Sequence, residues 1–500
     1  MYAMKKRTYD YVVVGGGTAG VVVAARLAET GQVALLEAGP VDEGDDRVLD
    51  VRRWPQLLGS DLDWDYVIEP QARGNSRIRH SRARVLGGCS SHNSCIAFRA
   101  PDADLDRWER LGASGWGAAA TAAAWDRVFS RVHREFGSVN PLNLAFVDAC
   151  EQAGLPRRDF LKEGADIGAG RFALNVRGHR RQSSSVAYLH PLDATAGALR
   201  VYTGVRAQRL VVDGNRVLAV DTDAGIFAAE REIILSCGTF DSPRLLQLSG
   251  IGPADSLREV GVPVVHHLPG VGSHLFDHPE GVLIVATKRP VPPETAQYWE
   301  AGFFAHSGDD SVAGADVMAH FGLVPFDMHT ADDGYPTATN AISITPNVAL
   351  ARSHGTVRLR SPSPDISPAI DFCYFTDPDG YDERTLLSGF DWARRVAAQP
   401  ALAEWLGDEL APGADVVEEA SLSHYARTTG NTVYHPAGTC RMGHPTAPDT
   451  VIDPSLRVIG LEGLRVADAS IFPDMIRVNP GMTCMMIGER CAELVIEDES

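Results

Sequence analysis

The sequence predicts an α/β protein, α+β overall, in which a Rossmann-like domain carries an inserted domain built on an antiparallel sheet. Three observations lead to this fold class. A glycine-rich strand–turn–helix opens the chain, and strand and helix signals alternate after it. A central region from about 282 to 415 is then richer in Pro, Asp and aromatic residues and shows few long helices. With 500 residues, the chain is also too long for one ordinary core.

The predicted elements follow from hydrophobic patterns and turn residues. The N-terminal YDYVVVGGGTAGVVVAARLAETGQVALLEAG predicts a strand, a glycine turn, a helix and a second strand. LRVYTGVRAQRLVVDGNRVLAVDT predicts paired strands around an Asp-Gly-Asn turn, and REIILSCGTFDSPRLLQLSGIGP predicts a buried strand and a helix ended by Gly250. TNAISITPNVA and GTVRLRSPSP are predicted strands of the inserted sheet. GLEGLRVADASIFPDM predicts a strand and tight turn, and GMTCMMIGERCAELVIED predicts a helix with an apolar face.

The N-terminal glycines form a G-x-G-x-x-G motif in the setting that dinucleotide binding requires. Gly15 allows the tight turn, Gly17 lets a pyrophosphate approach the backbone, and Gly20 lets helix and strand pack closely. Glu37 ends the second strand about 20 residues later, where it would accept hydrogen bonds from a ribose. The motif therefore predicts dinucleotide binding, and by itself it does not distinguish FAD from NAD.

Composition excludes some partners. The formal charge of 46 − 65 = −19 argues against nucleic acid or an anionic membrane surface as partner. It is compatible with a cationic substrate and equally with an ordinary soluble acidic protein. Eight cysteines without a Cys-x-x-Cys pair predict a reducing, cytoplasmic setting. Asp10 and the glycine cluster argue against a signal peptide, and no segment has the ~20 apolar residues of a membrane span.

The stretch GGCSSHNSC has a spacing that can hold zinc. Cys89, His92 and Cys95 stand three residues apart, but a structural zinc site needs four ligands. A second histidine-rich segment lacks a recognised ligand pattern and lies in a predicted irregular loop, and its members are His266, His267, His274 and His278. The sequence therefore predicts no metal site.

Several stretches together resemble the glucose-methanol-choline (GMC) oxidoreductases, which are FAD-dependent. They are RVLGGCSSHN, GTFDSPRLLQLSGIG, YHPAGTCRMG, LRVADASIFP and NPGMTCMMIGERCAEL. GGCSSHNSCIAF, DHPEG, VPFDM, HGTVRLRS, YFTDP and NTVYHP are most similar to the choline-oxidising members of the family. The resemblance runs from about 9 to 496. It implies the GMC fold, with a discontinuous FAD-binding domain at 5–135, 180–280 and 430–496 and a substrate-binding domain at 136–179 and 281–429.

The resemblance implies an FAD-dependent alcohol oxidase. Choline would be oxidised by way of betaine aldehyde to glycine betaine, with hydride passing from the alcohol carbon to flavin N5 and O2 reduced to H2O2. The alternative within the family is a dehydrogenase or oxidase that uses another primary alcohol or a non-oxygen acceptor. A third alternative is a non-catalytic flavin-binding or assembly protein. A homodimer is compatible with the resemblance.

Residue roles also follow from the resemblance. His435 and Asn479 would act beside the flavin, because removing a hydroxyl proton and a carbon-bound hydride requires a base and hydrogen-bond donors there. Ser94 and His320 are implied to contribute, with an ordinary loop serine and a satisfied strand histidine as the alternatives. A quaternary ammonium is best held by aromatic faces and a countercharge. The implied enclosure, whose aromatic members could each instead be core, is Trp54, Glu280, Trp299, Tyr434 and Val433.

The resemblance places FAD against a larger set of residues. His92 is implied to carry a covalent bond to the 8α-methyl carbon of the flavin, which makes Cys89 and Cys95 small neighbours. The other implied FAD-binding residues are Gly15, Gly17, Thr18, Ala19, Gly20, Glu37, Ala38, Trp64, Arg82, Val85, Gly87, Gly88, Ser91, Asn93, Ile96, Ala207, Asp468, Ala469, Asn479 and Pro480.

Overall fold

The computed structural model describes residues 6–192 and 197–499 and contains two large β-sheets. Their strands in chain order are β1 (Lys6–Val14), β2 (Val33–Leu36), β3 (Gly168–Arg171), β4 (Leu199–Tyr202), β5 (Ala207–Asp213), β6 (Arg216–Thr222), β7 (Gly225–Leu235), β8 (Pro279–Glu280), β9 (Leu283–Thr287), β10 (Ala301–Ala305), β11 (Val317–Gly322), β12 (Ala341–Val348), β13 (Leu406–Ala411), β14 (Asn431–Thr432) and β15 (Leu464–Val466).

The helices surround both sheets. They are α1 (Gly20–Leu27), α2 (Asp46–Leu49), α3 (Asp102–Arg110), α4 (Ala118–Arg131), α5 (Pro141–Gln152), α6 (Gly238–Leu248), α7 (Ala254–Glu259), α8 (Met328–Asp332), α9 (Tyr381–Ala397), α10 (Glu419–Thr429) and α11 (Gly481–Asp498). Short 3-10 turns lie at Val51–Leu57, Gly88–Ser91, Pro400–Leu402 and Ala469–Ile471, and one π-turn lies at Ser185–Leu189.

The first sheet has the order β4-β2-β1-β7-β6-β5, with β15 also paired to β7. Strand β1 runs parallel to both β2 and β7, and β5 and β6 form the predicted antiparallel hairpin. The last four residues of β1 and all of β2 are buried, as expected for parallel strands covered on both faces. This arrangement confirms the predicted Rossmann-like part of the fold.

The second sheet is antiparallel, with the order β13-β9-β12-β11-β10-β3 and with β8 paired to both β12 and β14. Its side chains alternate between two faces. On one face, a Cβ built on Gly389 of α9 would lie 2.7 Å from the Cβ of Pro346, so α9 packs closely on β12. The opposite face carries Thr345 and Asn347. The sheet therefore has an apolar side under α9 and a polar side.

Two details of the central region differ from the prediction. Helix α9 spans 17 residues in a region expected to show few long helices. Thr356–Arg358, from the segment GTVRLRSPSP, pairs only with Ala369–Asp371 and stays outside the large sheet. The predicted domain division remains a proposal. The strands of the second sheet come from β3 and from the part of the chain between β8 and β14.

Further two-stranded ladders join Tyr66–Val67 with Arg79–His80, Glu135–Phe136 with Ala173–Leu174, Val176–Arg177 with Arg180–Arg181, and Ile251–Gly252 with His266–His267. Across residues 6–192 and 197–499, the helices are too short or too polar to cross a membrane.

Candidate active site

A cavity of about 320 Å³ lies where the two sheets meet. The first sheet contributes the carboxyl ends of β1 and β2, at Val14 and Leu36, and the segment that follows β7. The second sheet contributes Glu280 from β8, His320 from β11 and Thr432 from β14. Ligands of open α/β sheets bind at carboxyl strand ends, so the cavity is positioned for a nucleotide on one side and a second molecule on the other.

The glycine turn meets this cavity at the N-terminus of α1. Helix α1 has no side-chain cap and no acidic residue in its first turn, so its free N–H groups and its dipole favour an anion there. Gly15 has φ +100°, and a Cβ on it would lie 2.3 Å from the Ser236 carbonyl oxygen. A Cβ on Gly20 would lie 2.0 Å from the Gly15 carbonyl oxygen. The two glycines are therefore required by backbone contacts.

Glu37 is fixed at the end of β2. Its Oε2 accepts a hydrogen bond from Gly16 N at 2.9 Å, and its Oε1 accepts one from Gly39 N at 2.7 Å. Burial raises the pKa of Glu37 to about 7, against the lowering effect of these two bonds. Each carboxyl oxygen has a second lone pair, so Glu37 can accept a further bond from a ribose hydroxyl.

Most of the predicted FAD-binding residues line the cavity. Gly20, Val85, Gly87 and Ser91 do not. Gly20 begins α1 and packs on Gly15, and the other three belong to the loop 85–91, where the Ser91 hydroxyl donates to Leu86 O and Gly87 N donates to Gly16 O. The predicted residues that do line the cavity are Gly15, Gly17, Thr18, Ala19, Glu37, Ala38, Trp64, Arg82, Gly88, His92, Asn93, Ile96, Ala207, Asp468, Ala469, Asn479 and Pro480.

Gly87 and Gly88, which the family resemblance places against FAD, are required first by the backbone of this loop. Gly87 and Gly88 have φ of +87° and +54°, which strongly favours glycine. A Cβ on Gly88 would lie 2.6 Å from the Cα of Gly17. The loop is thus pressed first against the glycine turn, and only Gly88 of the pair also faces the cavity.

His92 borders the cavity with a defined tautomer. Its Nε2 lies 3.1 Å from the carbonyl oxygen of Leu57, which can only accept, so Nε2 carries the proton. Burial lowers the pKa of His92 to about 4, so the ring is neutral and Nδ1 holds the free lone pair. The Cys95 sulfur is engaged by Arg181 at 3.0 Å. No cluster of three His, Cys, Asp or Glu suited to a metal occurs in the described residues.

His435 faces the cavity, and contacts on the side away from the cavity fix which of its ring nitrogens carries the proton. The Nε2 of His278 donates to the carbonyl oxygen of Ile476 at 2.9 Å, which leaves the Nδ1 of His278 as an acceptor. His435 Nδ1 lies 2.8 Å from that nitrogen and must be its donor. The Nε2 of His435 therefore keeps a lone pair, and Asn479 Nδ2 lies 3.3 Å from it as a donor.

Electrostatics keep this imidazole neutral. Burial lowers the pKa of His435 well below its ordinary value, and the His278 and His320 rings lower it further, while Asp277 opposes them. A neutral imidazole with its lone pair toward the cavity can accept a proton at Nε2. The pair His435–Asn479 thus has the chemistry of a base with an adjacent hydrogen-bond donor.

The buried carboxylate beneath this pair, Asp277, is not among the residues predicted from the sequence. Asp277 Oδ1 accepts from the backbone N of His435 at 3.0 Å, and Oδ2 accepts from the hydroxyls of Thr432 and Tyr374 at 2.5 Å each. Burial raises the pKa of Asp277, but hydrogen bonds from His80, Thr432 and Tyr374 outweigh it and hold this pKa below its ordinary value. Only its position next to His278 in the DHPEG segment pointed to it.

The expected substrate enclosure is assembled at the same cavity. The Trp54 and Trp299 rings lie edge to face with centroids 5.4 Å apart, and Phe326, which the sequence did not suggest, meets Trp299 at 5.7 Å. Ser94, Glu280, His320, Val433 and Tyr434 also line the cavity.

Tyr434 is held in a strained backbone conformation. It has φ +63°, and its N–H donates to the Thr432 hydroxyl at 2.8 Å. This strain turns the chain at the cavity between Thr432 and His435.

Glu280 is the acidic group of the enclosure. Burial raises its pKa to about 8, with the Thr345 hydroxyl lowering it and the Asp277 charge raising it. His320 Nδ1 lies 3.9 Å from Glu280 Oε1, but burial and the neighbouring His278 lower the pKa of His320 to about 3. A neutral His320 supplies no countercharge, so a cationic ligand would be the partner that stabilises the ionised carboxylate.

The residues present fit a bound flavin dinucleotide. The uncapped N-terminus of α1 suits a pyrophosphate and Glu37 suits a ribose. The Oδ1 atom of Asn479 is buried without a hydrogen-bond partner. A buried acceptor without a partner is costly, so a donor from a bound group is expected there.

Family models described as GMC oxidoreductase match residues 9–280 and 351–488. The chain is 49% identical to choline oxidase of Arthrobacter globiformis, over 98% of this chain and 95% of that protein. It is 34% identical to the mitochondrial choline dehydrogenase of Homo sapiens, over 97% of this chain and 89% of that protein.

Solved structures show the same fold. Pyridoxine 4-oxidase from Mesorbium loti superposes with a TM-score of 0.90 at 30% identity, over 97% of this chain and 98% of that one. Formate oxidase from Aspergillus oryzae superposes with a TM-score of 0.89 at 22% identity, over 99% of each chain, which shows the fold alone.

Proposed function

The chain belongs to the GMC oxidoreductase family, is an FAD-dependent oxidoreductase acting on CH–OH groups, and, we propose, oxidises choline. One observation carries this substrate. Glu280, Trp54 and Trp299 line the same cavity as His435 and Asn479, so a cationic head and a reacting hydroxyl can be held at once. The similarity to choline oxidase and choline dehydrogenase supports the same substrate.

The proposed mechanism starts at His435. The substrate hydroxyl donates to His435 Nε2, whose lone pair is kept free by the His278 and Ile476 contacts. Asn479 Nδ2 donates to the substrate oxygen as its proton leaves, and Ser94 is positioned to add a hydroxyl group at the cavity wall. Bound FAD supplies the hydride acceptor. His320 and the aromatic residues orient the substrate carbon.

The proposed products follow from two such oxidations. Choline would give betaine aldehyde, whose hydrate has a new hydroxyl that His435 can deprotonate in the same position. The second oxidation would give glycine betaine. With O2 as electron acceptor, each oxidation yields one H2O2. We include the His92–FAD bond in the proposal, while a cytoplasmic location and a homodimer stay predictions.

The test is oxygen uptake by purified holoenzyme, with the flavin spectrum followed in parallel. We expect choline to bleach the flavin absorbance anaerobically and to consume two O2 per choline in air. The substrate panel adds ethanol and 3,3-dimethylbutan-1-ol, a neutral isostere of choline. A flavin that stays oxidised with choline would overturn the proposal.

The second candidate is a choline dehydrogenase that passes electrons to a quinone or protein. Its support is the 34% identity to mitochondrial choline dehydrogenase. Anaerobic flavin bleaching by choline is common to both candidates, so the discriminating measurement is turnover in O2 against turnover with an artificial acceptor. A rate with the acceptor that far exceeds the rate in O2 selects the dehydrogenase. A non-catalytic flavin protein would show neither.

A further inference from the structure

The sheet face beneath Glu280 carries polar side chains whose role the proposed reaction leaves unexplained. Glu280 lies directly opposite Asn347 on β12 and directly opposite Asn431 on β14. Residues directly opposite in neighbouring strands project from the same face. Asn431, Glu280 and Asn347 therefore form a row across three strands, with the carboxylate flanked by two amides.

Register extends this row toward the reacting groups. Thr345 lies two residues before Asn347 on β12, hence on the same face, and it is directly opposite His320 on β11. The cavity is lined by both Glu280 and His320 from this face. The alternate residue Pro346 points the other way, onto α9. The polar row thus lies on the cavity side of the sheet.

These polar groups are buried, and the amide of Asn347 lacks a partner. Asn347 is 1% exposed, and both of its side-chain atoms have no hydrogen-bond partner within the described residues. Asn431 is 3% exposed and also lies beside Tyr434 and His329, whose pKa values its side chain shifts. The hydroxyl of Thr345, which is 1% exposed, faces Glu280 and lowers the pKa of its carboxyl. A buried polar group without a partner costs stability, so the unpartnered amide of Asn347 beside this carboxylate needs a function.

We infer that Asn347 and Asn431 are specificity-determining residues that favour the ionised form of the Glu280 carboxylate, against the effect of burial, with their amide N–H groups as donors reached directly or through one water molecule. An amide donor favours the charged form of a carboxylate, and two donors on opposite sides also fix its orientation. The consequence is selection of cationic over neutral alcohols. The inference rests on the proposed function, because it explains how that site would recognise an ammonium group.

The other titratable groups near Glu280 do not stabilise its negative charge. Facing Glu280 are His320 from β11, Thr345 and Asn347 from β12, and Asn431 from β14. His320 is held neutral by its surroundings, and Asp277 is itself negative. Before a cation enters, the Thr345 hydroxyl and the two amides are the groups on this face that can stabilise the negative charge.

The test uses holoenzyme with Asn347→Leu and Asn431→Leu, which keep side-chain size and remove the amide. The measured quantity is the ratio of kcat/KM for choline to kcat/KM for 3,3-dimethylbutan-1-ol. We expect each variant to lower this ratio about tenfold or more, because kcat/KM for choline falls and that for the neutral alcohol changes little. Asn143→Leu is the matched control, since Asn143 on α5 is equally buried and also lacks partners for both side-chain atoms.

The outcomes separate cleanly. A fall of the ratio in both row variants but not in Asn143→Leu supports the inference, and an unchanged ratio in both overturns it. If a leucine variant does not retain FAD, the alanine variant at the same position is scored by the same ratio. Wild-type enzyme that prefers the neutral alcohol refutes the proposed function, and the inference with it, before any variant is measured. Wild-type preference for choline with unchanged variants refutes the inference alone.

Discussion

At the scale of single residues, His435 owes its protonation state to contacts on the side away from the cavity. The carbonyl of Ile476 fixes one proton on His278, and His278 in turn accepts the proton of His435 Nδ1. Each step follows from which atoms can only accept. A base aimed at the substrate is thus produced by two neutral rings and a peptide group, without a carboxylate in contact with the imidazole.

The first prediction concerns His435 itself. In His435→Ala, kcat should fall by about 10²–10⁴-fold because the proton acceptor at Nε2 is removed, while bound FAD and Tm change little. Steady-state kinetics with choline and the flavin absorbance of the purified variant check this. His354→Ala, at an exposed histidine, is the control and should keep wild-type rates. Wild-type kcat in His435→Ala would contradict the assigned role.

The second prediction concerns the pH dependence produced by Glu280. A carboxyl with its pKa raised to about 8 is neutral below that pH and charged above it. The kcat/KM for choline should therefore rise as pH increases through about 8, and the rise should be absent for 3,3-dimethylbutan-1-ol. Because the pKa of His435 lies far lower, its titration does not overlap this window. In Glu280→Gln the rise should disappear. A rise that persists in this variant would assign it to another group.

At the scale of elements, the loop 85–95 combines three structural features within one short segment. Its glycines allow contact with the glycine turn, its hydroxyl groups fasten it to the backbone, and His92 turns Nδ1 away from the Leu57 contact. A free lone pair on a neutral imidazole is the nucleophilic form of histidine, so His92 would hold the flavin in the ring state that the proposed covalent bond requires.

The third prediction tests this bond. After acid denaturation, yellow flavin should remain with the precipitated wild-type protein and should move to the supernatant in His92→Asn. Absorbance of both fractions measures the outcome, and total flavin per protein before denaturation serves as the control for binding. Free flavin in the wild-type supernatant would refute the bond and leave the flavin site itself untouched.

The fourth prediction concerns the start of α1. Gly20→Ala places a Cβ about 2.0 Å from the Gly15 carbonyl oxygen, so the turn must open and FAD content should fall strongly. Gly407→Ala on β13 is a matched control, since its nearest contact would be an ordinary 3.4 Å. FAD content from absorbance and Tm from thermal unfolding distinguish the two. Full FAD content in Gly20→Ala would show that this backbone contact is dispensable.

At the scale of the whole molecule, prediction from sequence succeeded where the backbone limits the choice. The glycine turn, the first two strands and the last helix depend on positive φ, close contacts and long apolar periodicity, which leave a local signal. The groups around Asp277 leave no such local signal in the sequence. His80, Tyr374 and Thr432 lie far from it in sequence and converge only when both sheets have formed. Helix α9 was underestimated because polar residues cover its outer face.

The fifth prediction follows from the position of the cavity between the sheets. A ligand that touches both should stabilise the entire native state. In His92→Asn, where the third prediction makes FAD exchangeable, added FAD should raise Tm. At a free concentration of 100 times Kd, it should raise the unfolding free energy by about 2.7 kcal/mol. Thermal unfolding across an FAD series measures this. A Tm that does not depend on FAD would argue against binding between the sheets.

The contact between His278 and the Ile476 carbonyl has a consequence for tolerance to mutation. A main-chain oxygen is supplied by every residue type, so replacing the side chain at 476 by another apolar group leaves the direction of the proton chain intact. At 278 the requirement is strict, because the side chain must donate with one nitrogen and accept with the other. The direction of hydrogen-bond donation in this chain therefore depends partly on a backbone carbonyl group, which side-chain substitutions do not remove.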